Sequence, residues 1–363
     1  MTVAIPVELG SRRYEVCLGE LGPDAVAETL AEAFGAHTTG VALLVDGGVA
    51  ALPRARALSA ALAARLPGVA QFDLRAGEGC KSLSEVERTL EWLARQGYDR
   101  RAALVGMGGG AATDHAGFAA AVYLRGIRFA TVPTTLLAMV DASVGGKTGV
   151  DLDAGKNLVG AFHQPRAVVA DLGFLGTLPA REKAAGLAEV IKCGFIADPV
   201  ILELAERHGA DLPAGVLRDL IARAIRVKAE VVAEDETESG RRAILNFGHT
   251  VGHALEAASG YQLLHGEAVA LGMVAALDLG AALGVGPRAL ADRARALLAR
   301  LALPTDYAPR LNPAVWERLA VDKKRRGGAI RFVFVTAPGQ AVLRDVAPGD
   351  ISARLGTLAA PEA

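Results

Sequence analysis

Cysteine is scarce in this 363-residue chain: Cys17, Cys80 and Cys193 are an odd number without CxxC spacing, which excludes a disulfide framework and a cysteine zinc site. An excess of charge of one sign is missing too. Lys plus Arg total 39 against 40 for Asp plus Glu, a net charge of −1, so there is no global positive field to attract a polyanion and nucleic acid is not an expected partner. Long apolar runs are absent. Uncharged stretches such as Phe129–Val140 and Phe332–Leu343 reach about a dozen residues, short of the roughly 18 that a membrane span needs. The opening residues MTVAIPVELGSRRYEV alternate like a strand and lack the basic start and long apolar stretch of a secretory signal, so a cytoplasmic location is expected. What is present is 52% hydrophobic and 22% charged, with 16 scattered prolines, the composition of a globular protein. The length points to two domains.

Lysine is the scarce cation. Of the 39 basic residues 31 are Arg and eight are Lys, at 81, 147, 156, 183, 192, 228, 323 and 324. In a chain that drifts toward Arg, each Lys merits a reason, and a compact ammonium suits a phosphate or carboxylate held as a point charge.

The first half alternates apolar β-branched runs with amphipathic Ala/Leu/Arg stretches, which predicts a parallel sheet covered by helices. Strands are expected at Gly40–Val45, Val69–Leu74, Ala102–Met107, Phe129–Val132 and Ala167–Asp171, and helices at Ala51–Leu66, Leu83–Arg95 and Ala112–Leu124. From about Pro179 helical periodicity takes over, as in Leu217–Glu234, Glu267–Leu283 and Pro287–Leu301, with β-rich Ala329–Thr336 as a late edge strand or an excursion. The expected fold is an N-terminal α/β Rossmann-like domain with a parallel sheet, residues 1–176, followed by an all-α metal- and substrate-binding domain, residues 177–363.

Gly106-Met107-Gly108-Gly109-Gly110-Ala111 follows a predicted strand and opens a helix, so backbone amides and a helix N-terminus can cradle a pyrophosphate, or simply make a tight turn. Asp46, at a second strand end, suits an adenosine ribose or an ordinary loop. Between Pro133 and Asn157, hydroxyls, glycines and two of the scarce lysines crowd together: Thr134, Thr135, Asp141, Gly145, Gly146, Lys147, Gly155, Lys156 and Asn157. Such a stretch supplies donors for an anion. Glu189 and Lys192 share a helical face, by itself the pattern of a surface ion pair. Three of the seven histidines, His249, His253 and His265, fall within 17 positions. Two imidazoles and one carboxylate would suit a catalytic zinc with open positions, although a His pair at i,i+4 also arises on helix surfaces. HTVGH lacks the Glu of a zinc protease, so hydrolysis is not indicated. His37, His115, His163 and His208 do not cluster and read as structural or exposed, and the cysteines read as bystanders.

These segments resemble the 3-dehydroquinate synthase family of sugar phosphate cyclases. The likeness runs from about Asp46 to Pro338 through GGGAATDHAGF (108–118), PTTLLAMVDASVGGKTGV (133–150), GKNLVGAFHQP (155–165), TLPAREKAAGLAEVIK (177–192), LNFGHTVGHALE (245–256), HGEAVALGM (265–273) and DKK (322–324). Two places depart from the family pattern: Ala111–His115 stands where Val-Val-Gly-Asp-Leu is frequent, and Gly47-Gly48 where Asn-Val-like residues are.

The resemblance implies a lyase that converts 3-deoxy-D-arabino-heptulosonate 7-phosphate into 3-dehydroquinate and phosphate in the shikimate route to aromatic amino acids. Its cofactors would be NAD, reduced and reoxidised in each turnover, and Zn2+ (or Co2+). It implies metal ligands Glu189, His249 and His265. It places NAD on Asp46, Glu78, Lys81, Gly109, Gly110, Asp114, Thr134, Thr135, Lys147, Lys156, Thr177 and Glu182. The small phosphorylated sugar acid would meet Asp141, Lys147, Lys156, Asn157, Lys192, Lys228, Arg242, Asn246, His253 and Lys323. Arg125 would reach the phosphate of a neighbouring copy in a homodimer. Six of the eight lysines fall among these positions. Rivals are other cyclases of this superfamily, on sedoheptulose 7-phosphate, glucose 6-phosphate or an amino analogue of the heptulosonate, and a metal-dependent alcohol or glycerol dehydrogenase, which would leave NADH behind and need no phosphate clamp.

Overall fold

The computed structural model describes residues 2–325 and 328–359. The chain forms two compact units, Met1–Leu178 with Lys228–Glu236, and Pro179–Val227 with Thr237–Ala363.

The first unit carries β1 (Val3–Val7), β2 (Tyr14–Gly19), α1 (Pro23–Phe34), β3 (Val41–Asp46), α2 (Pro53–Arg65), β4 (Ala70–Leu74), α3 (Leu83–Arg95), β5 (Ala103–Gly108), α4 (Gly110–Val122), β6 (Arg128–Pro133), β7 (Lys147–Leu152), β8 (Gly155–Phe162) and β9 (Ala167–Asp171). Seven strands form one sheet in the order β1-β2-β9-β6-β5-β3-β4. Only the β1–β2 pair is antiparallel. The central strands read as unbroken apolar runs because helices cover both faces, and every residue of β3, β5 and β9 is buried. The chain leaves β3 for β4 on one side and returns to β5 on the other. Ligands of doubly wound sheets bind at such a switch point, outside the carboxyl ends of the two strands, and here those ends carry Asp46 and Gly108. β7 and β8 form a separate antiparallel hairpin.

The second unit contains α5 (Ala180–Ile196), α6 (Val200–His208), the first part of α7 (Ala214–Glu234), α8 (His249–Ala258), α9 (His265–Ala282), α10 (Arg288–Arg300), α11 (Pro313–Arg325), β10 (Ile330–Ala337), β11 (Gln340–Val346) and α12 (Pro348–Ala359). α9 is apolar around its circumference because it is a central helix, buried continuously from Gly266 to Gly280 apart from Glu267. The unit is helical, as its periodicity predicts, with one addition. The late β-rich stretch is one arm of an antiparallel hairpin, β10 paired with β11, turning at Gly339 with φ +79°. Among the described residues no helix is long and apolar enough to cross a membrane.

Candidate active site

In the first unit, the glycine turn is set by contact. A Cβ on Gly106 would lie 2.4 Å from the Cβ of Ala116, and one on Gly108 would lie 2.7 Å from the Cβ of Asp46. Only glycine lets β5 run this close to α4 and β3. Gly109 is the N-cap of α4 and leaves its first turn open. Asp46 accepts hydrogen bonds from the amides of Gly48 (2.8 Å) and Gly77 (3.3 Å), tying β3 to the loop that holds Glu78. Lys81 is buried and its ammonium lies 2.6 Å from Asp114 on α4. Burial pushes the Asp114 carboxyl up to about 6 against the pull of Lys81, and Asp141 adds like-charge repulsion. Lys81 is held above its ordinary value because Asp114 and its acidic neighbours outweigh burial. Thr134 donates its amide to the Gly108 carbonyl (2.8 Å), while its buried hydroxyl has no hydrogen-bond partner among the described residues. An orphan hydroxyl at a glycine turn fits a polar cofactor. Thr135 accepts the Ala138 amide, and Thr177 is exposed.

After β6 the chain makes a π-helical turn, Ala138–Ala142, closed by the Ser143 amide bonding to the Ala138 carbonyl at 3.1 Å. Such turns redirect side chains at functional sites. This one presents Asp141, which binds the ammonium of buried Lys228; Lys228 also donates to the Asp141 carbonyl at 2.6 Å. The hairpin then displays Lys147, exposed, and Lys156, 3.9 Å from Glu78. Asn157 adopts φ +56° beside them, its amide donating to Asp151 at 2.7 Å. Arg125 is exposed in a left-handed turn, Leu124, Arg125 and Gly126 all having positive φ.

In the second unit, three helices meet where glycines remove side chains. A Cβ on Gly266 would lie 1.9 Å from the Ala185 carbonyl of α5, and one on Gly272 would lie 1.9 Å from the carbonyl of Gly248, which itself has φ +80° at the start of α8. This approach of α5, α8 and α9 brings Glu189, His249 and His265 together. Nε2 of His249 and Nε2 of His265 each lie 3.6 Å from the same oxygen, Glu189 Oε1. Tetrahedral ligands at about 2.0–2.1 Å from a zinc ion stand about 3.4 Å apart, so this donor set fits one. The outer nitrogens are engaged elsewhere: His249 Nδ1 faces the Phe247 carbonyl (3.1 Å) and His265 Nδ1 faces Glu256 Oε2 (3.2 Å). The Nε2 atoms, both turned toward Glu189, are therefore the ones left to ligate an ion. Burial, helped by Lys192, holds the His249 imidazole well below its ordinary pKa. Burial also opposes charge on His265, but Glu189 and Glu256 outweigh it and push that pKa up to about 9.

Lys192 binds Glu189 as the i,i+3 spacing predicts, but the pair is buried rather than on the surface, 3% and 2% exposed. His253 lies beside both rings, centroids 5.1 Å from His249 and 5.8 Å from His265. Arg242 is fully buried in the turn Arg241–Asn246, and the Asn246 amide donates to Glu238 at 2.6 Å. Glu182 is half-buried in the first turn of α5, and burial raises its pKa. Lys323, with Lys324, lies outside the described side chains. Glu256 is the residue that sequence reasoning missed. It belongs with His253 and His265 to a second group of donors within 4.8 Å of one another, and its signal was available, seven residues after His249 on one helix face.

A family model described as 3-dehydroquinate synthase N-terminal matches residues 71–185. Its C-terminal counterpart matches residues 186–325. A 3-dehydroquinate synthase of Mycolicibacterium vanbaalenii is 52% identical over 273 residues, 74% of this chain and 76% of that protein. The chain belongs to the 3-dehydroquinate synthase family. Another member, from Symbiobacterium thermophilum, is 47% identical over 95% of this chain and 98% of its own length. The solved 2-epi-5-epi-valiolone synthase of Streptomyces hygroscopicus, with NAD+ and Zn2+ bound, superimposes with a TM-score of 0.86 at 31% identity, covering 95% of this chain and 96% of that one.

Proposed function

We propose that this protein is a lyase converting 3-deoxy-D-arabino-heptulosonate 7-phosphate into 3-dehydroquinate and inorganic phosphate, with NAD and a divalent ion, Zn2+ or Co2+, as cofactors. The observation that carries the reading is the single carboxylate oxygen of Glu189 standing 3.6 Å from two imidazole nitrogens, His249 Nε2 and His265 Nε2. Identity of 47–52% to 3-dehydroquinate synthases, against 31% to a valiolone synthase, favours the heptulosonate over its rivals.

Glu189, His249 and His265 would hold the ion. Asp46, Glu78, Lys81, Gly109, Gly110, Asp114, Thr134, Thr135, Lys147, Lys156, Thr177 and Glu182 would hold the dinucleotide, the glycines by leaving backbone bare and Asp46 by receiving the ribose hydroxyls. When bound, these cofactors supply an acidified substrate hydroxyl and a reversible hydride sink. The chain's own residues do the rest. Lys147, Lys156, Arg242 and His253 bind the phosphate and stabilise its charge as it leaves, interactions that strengthen in the transition state. Asp141, Asn157, Lys192, Lys228, Asn246 and Lys323 bind the carboxylate and ring hydroxyls, and the substrate's own phosphate takes the proton. The closing aldol step needs mainly positioning. Asp141 and Lys228 hold each other, which fixes the geometry they offer.

The working unit is a cytoplasmic homodimer on this reading. Arg125 is exposed, and the apolar Val122 and Leu124 flanking it are 41% and 39% exposed, a surface suited to a second copy that receives Arg125 at its phosphate. The test is incubation with heptulosonate 7-phosphate, NAD+ and Zn2+. Stoichiometric phosphate and 3-dehydroquinate without accumulating NADH is the expected result. Net NADH formation without phosphate release overturns the reading in favour of a dehydrogenase.

A further inference from the structure

We infer that Glu256 is a positioning residue for the metal centre: its carboxylate accepts a hydrogen bond from His265 Nδ1 and fixes that ring with Nε2 toward the ion. The inference rests on the metal-binding reading of Glu189, His249 and His265 and extends it to a residue that touches neither ion nor substrate.

Three observations carry it. First, Glu256 is 5% exposed, and a carboxylate is withdrawn from water at a cost of several kcal/mol unless its hydrogen bonds replace hydration. Its Oε2 lies 3.2 Å from His265 Nδ1. Second, its backbone is pinned at the end of α8, where the Glu256 carbonyl accepts from the Ser259 hydroxyl (2.7 Å) and the Tyr261 amide (3.1 Å). A side chain on an anchored helix end holds a direction that a surface glutamate does not. Third, His249, His253 and Glu256 stand four and three residues apart on one helix, hence on one face. A single helix therefore supplies one ligand and the support for another.

The two imidazoles are served differently. His249 Nδ1 meets a neutral carbonyl, that of Phe247, whereas His265 Nδ1 meets a carboxylate. A carboxylate partner raises ligand basicity more than a carbonyl does, and losing such a partner typically costs 10–100-fold in metal affinity. The same three side chains, His253, Glu256 and His265, also lie close enough to ligate an ion themselves. That alternative requires His265 Nδ1 to carry a lone pair in place of its proton, and it predicts a second ion.

The experiment measures Zn2+ affinity and stoichiometry by competition with a chromogenic chelator for the wild-type protein, Glu256→Gln and Glu256→Ala, with thermal melting of each metal-free protein as a fold control. Expected is one ion per chain throughout, with affinity lower by about tenfold for Glu256→Gln and about a hundredfold for Glu256→Ala. The isosteric Glu256→Gln keeps the test valid if Glu256→Ala unfolds. Wild-type affinity in a folded variant overturns the inference and leaves the metal reading intact. Two ions in the wild type and one in the variants also overturns it, making Glu256 a ligand. No Zn2+ bound by the wild type overturns both this inference and the reading beneath it.

Discussion

His115 in the first unit is fully buried and His265 in the second is partly buried, its side chain 26% exposed, and their neighbours drive them to opposite protonation. His115 has no exposed surface; its Nδ1 lies 2.8 Å from the Cys80 carbonyl and its Nε2 2.8 Å from the Thr89 hydroxyl. Burial prevails there and lowers its pKa to about 4. At His265 burial acts in the same sense, but two carboxylates reverse it, to about 9. A buried imidazole among neutral acceptors is a strut joining α4 to the loop of Glu78 and Lys81. A partly buried imidazole between two carboxylates is a place prepared for a cation. The contrast extends to the regions around them: the glycine turn and π turn of the first unit offer mainly backbone and strand-end groups, while the second unit offers side chains from three tightly packed helices.

The contrast is broken most directly at His249. His249→Ala is expected to lose bound zinc and to lower kcat by more than about a thousandfold, beyond the hundredfold that supporting residues account for, with an unchanged circular dichroism spectrum. Metal analysis and phosphate release check it, and an active metal-free variant would transfer the ligand role elsewhere. A smaller, different effect is expected from Lys81→Met. Loss of a charged hydrogen bond costs about 1.5–3 kcal/mol, so KM for NAD rises about 10–100-fold while zinc content stays at one per chain. Zinc loss in that variant would contradict the separation of the two sets. The smallest effect is on stability. The unfolded chain takes up the His115 proton near pH 6.5 and the native protein only near 4, so between these values the unfolded state binds more protons. Stability from this group is complete above pH 6.5 and declines as pH falls toward 4, by about 1.4 kcal/mol per pH unit. Urea unfolding from pH 7 to 4.5 should show a slope flatter by about that amount in His115→Gln; an unaltered slope would mean that native His115 titrates freely.

Much of this was legible in the chain. The switch-point strands read as apolar runs because both faces are covered, the glycine run marked the close turn between β5 and α4, and the His spacing marked helices that bring His249 and His265 to one oxygen of Glu189. The β7–β8 hairpin was not legible, for a physical reason. Its strands contain Gly149 and Gly160, whose added Cβ atoms would lie 2.5 Å from the Val159 carbonyl and 2.2 Å from the Thr148 carbonyl. The pair closes only with glycine, and glycine in a strand reads as loop. Gln340–Val346 was missed because Gln340, Arg344 and Asp345 hide its pairing with the apolar arm Ile330–Ala337. Glu256 was overlooked because a glutamate in a helix reads as solvated until its burial is known. Lys228–Glu236 groups with residues far earlier in the chain through contacts such as Lys228 with Asp141, 87 positions apart, and Gln164 with Glu236, 72 apart at 2.9 Å, which no local pattern encodes.

Anomalous scattering at the zinc absorption edge, from crystals of the protein grown with Zn2+, addresses the central claim without reference to turnover. The account predicts one peak per chain, about 2.0–2.2 Å from Glu189 Oε1, His249 Nε2 and His265 Nε2. A peak bound instead by His253 and Glu256, or no ordered ion among these residues, would contradict it.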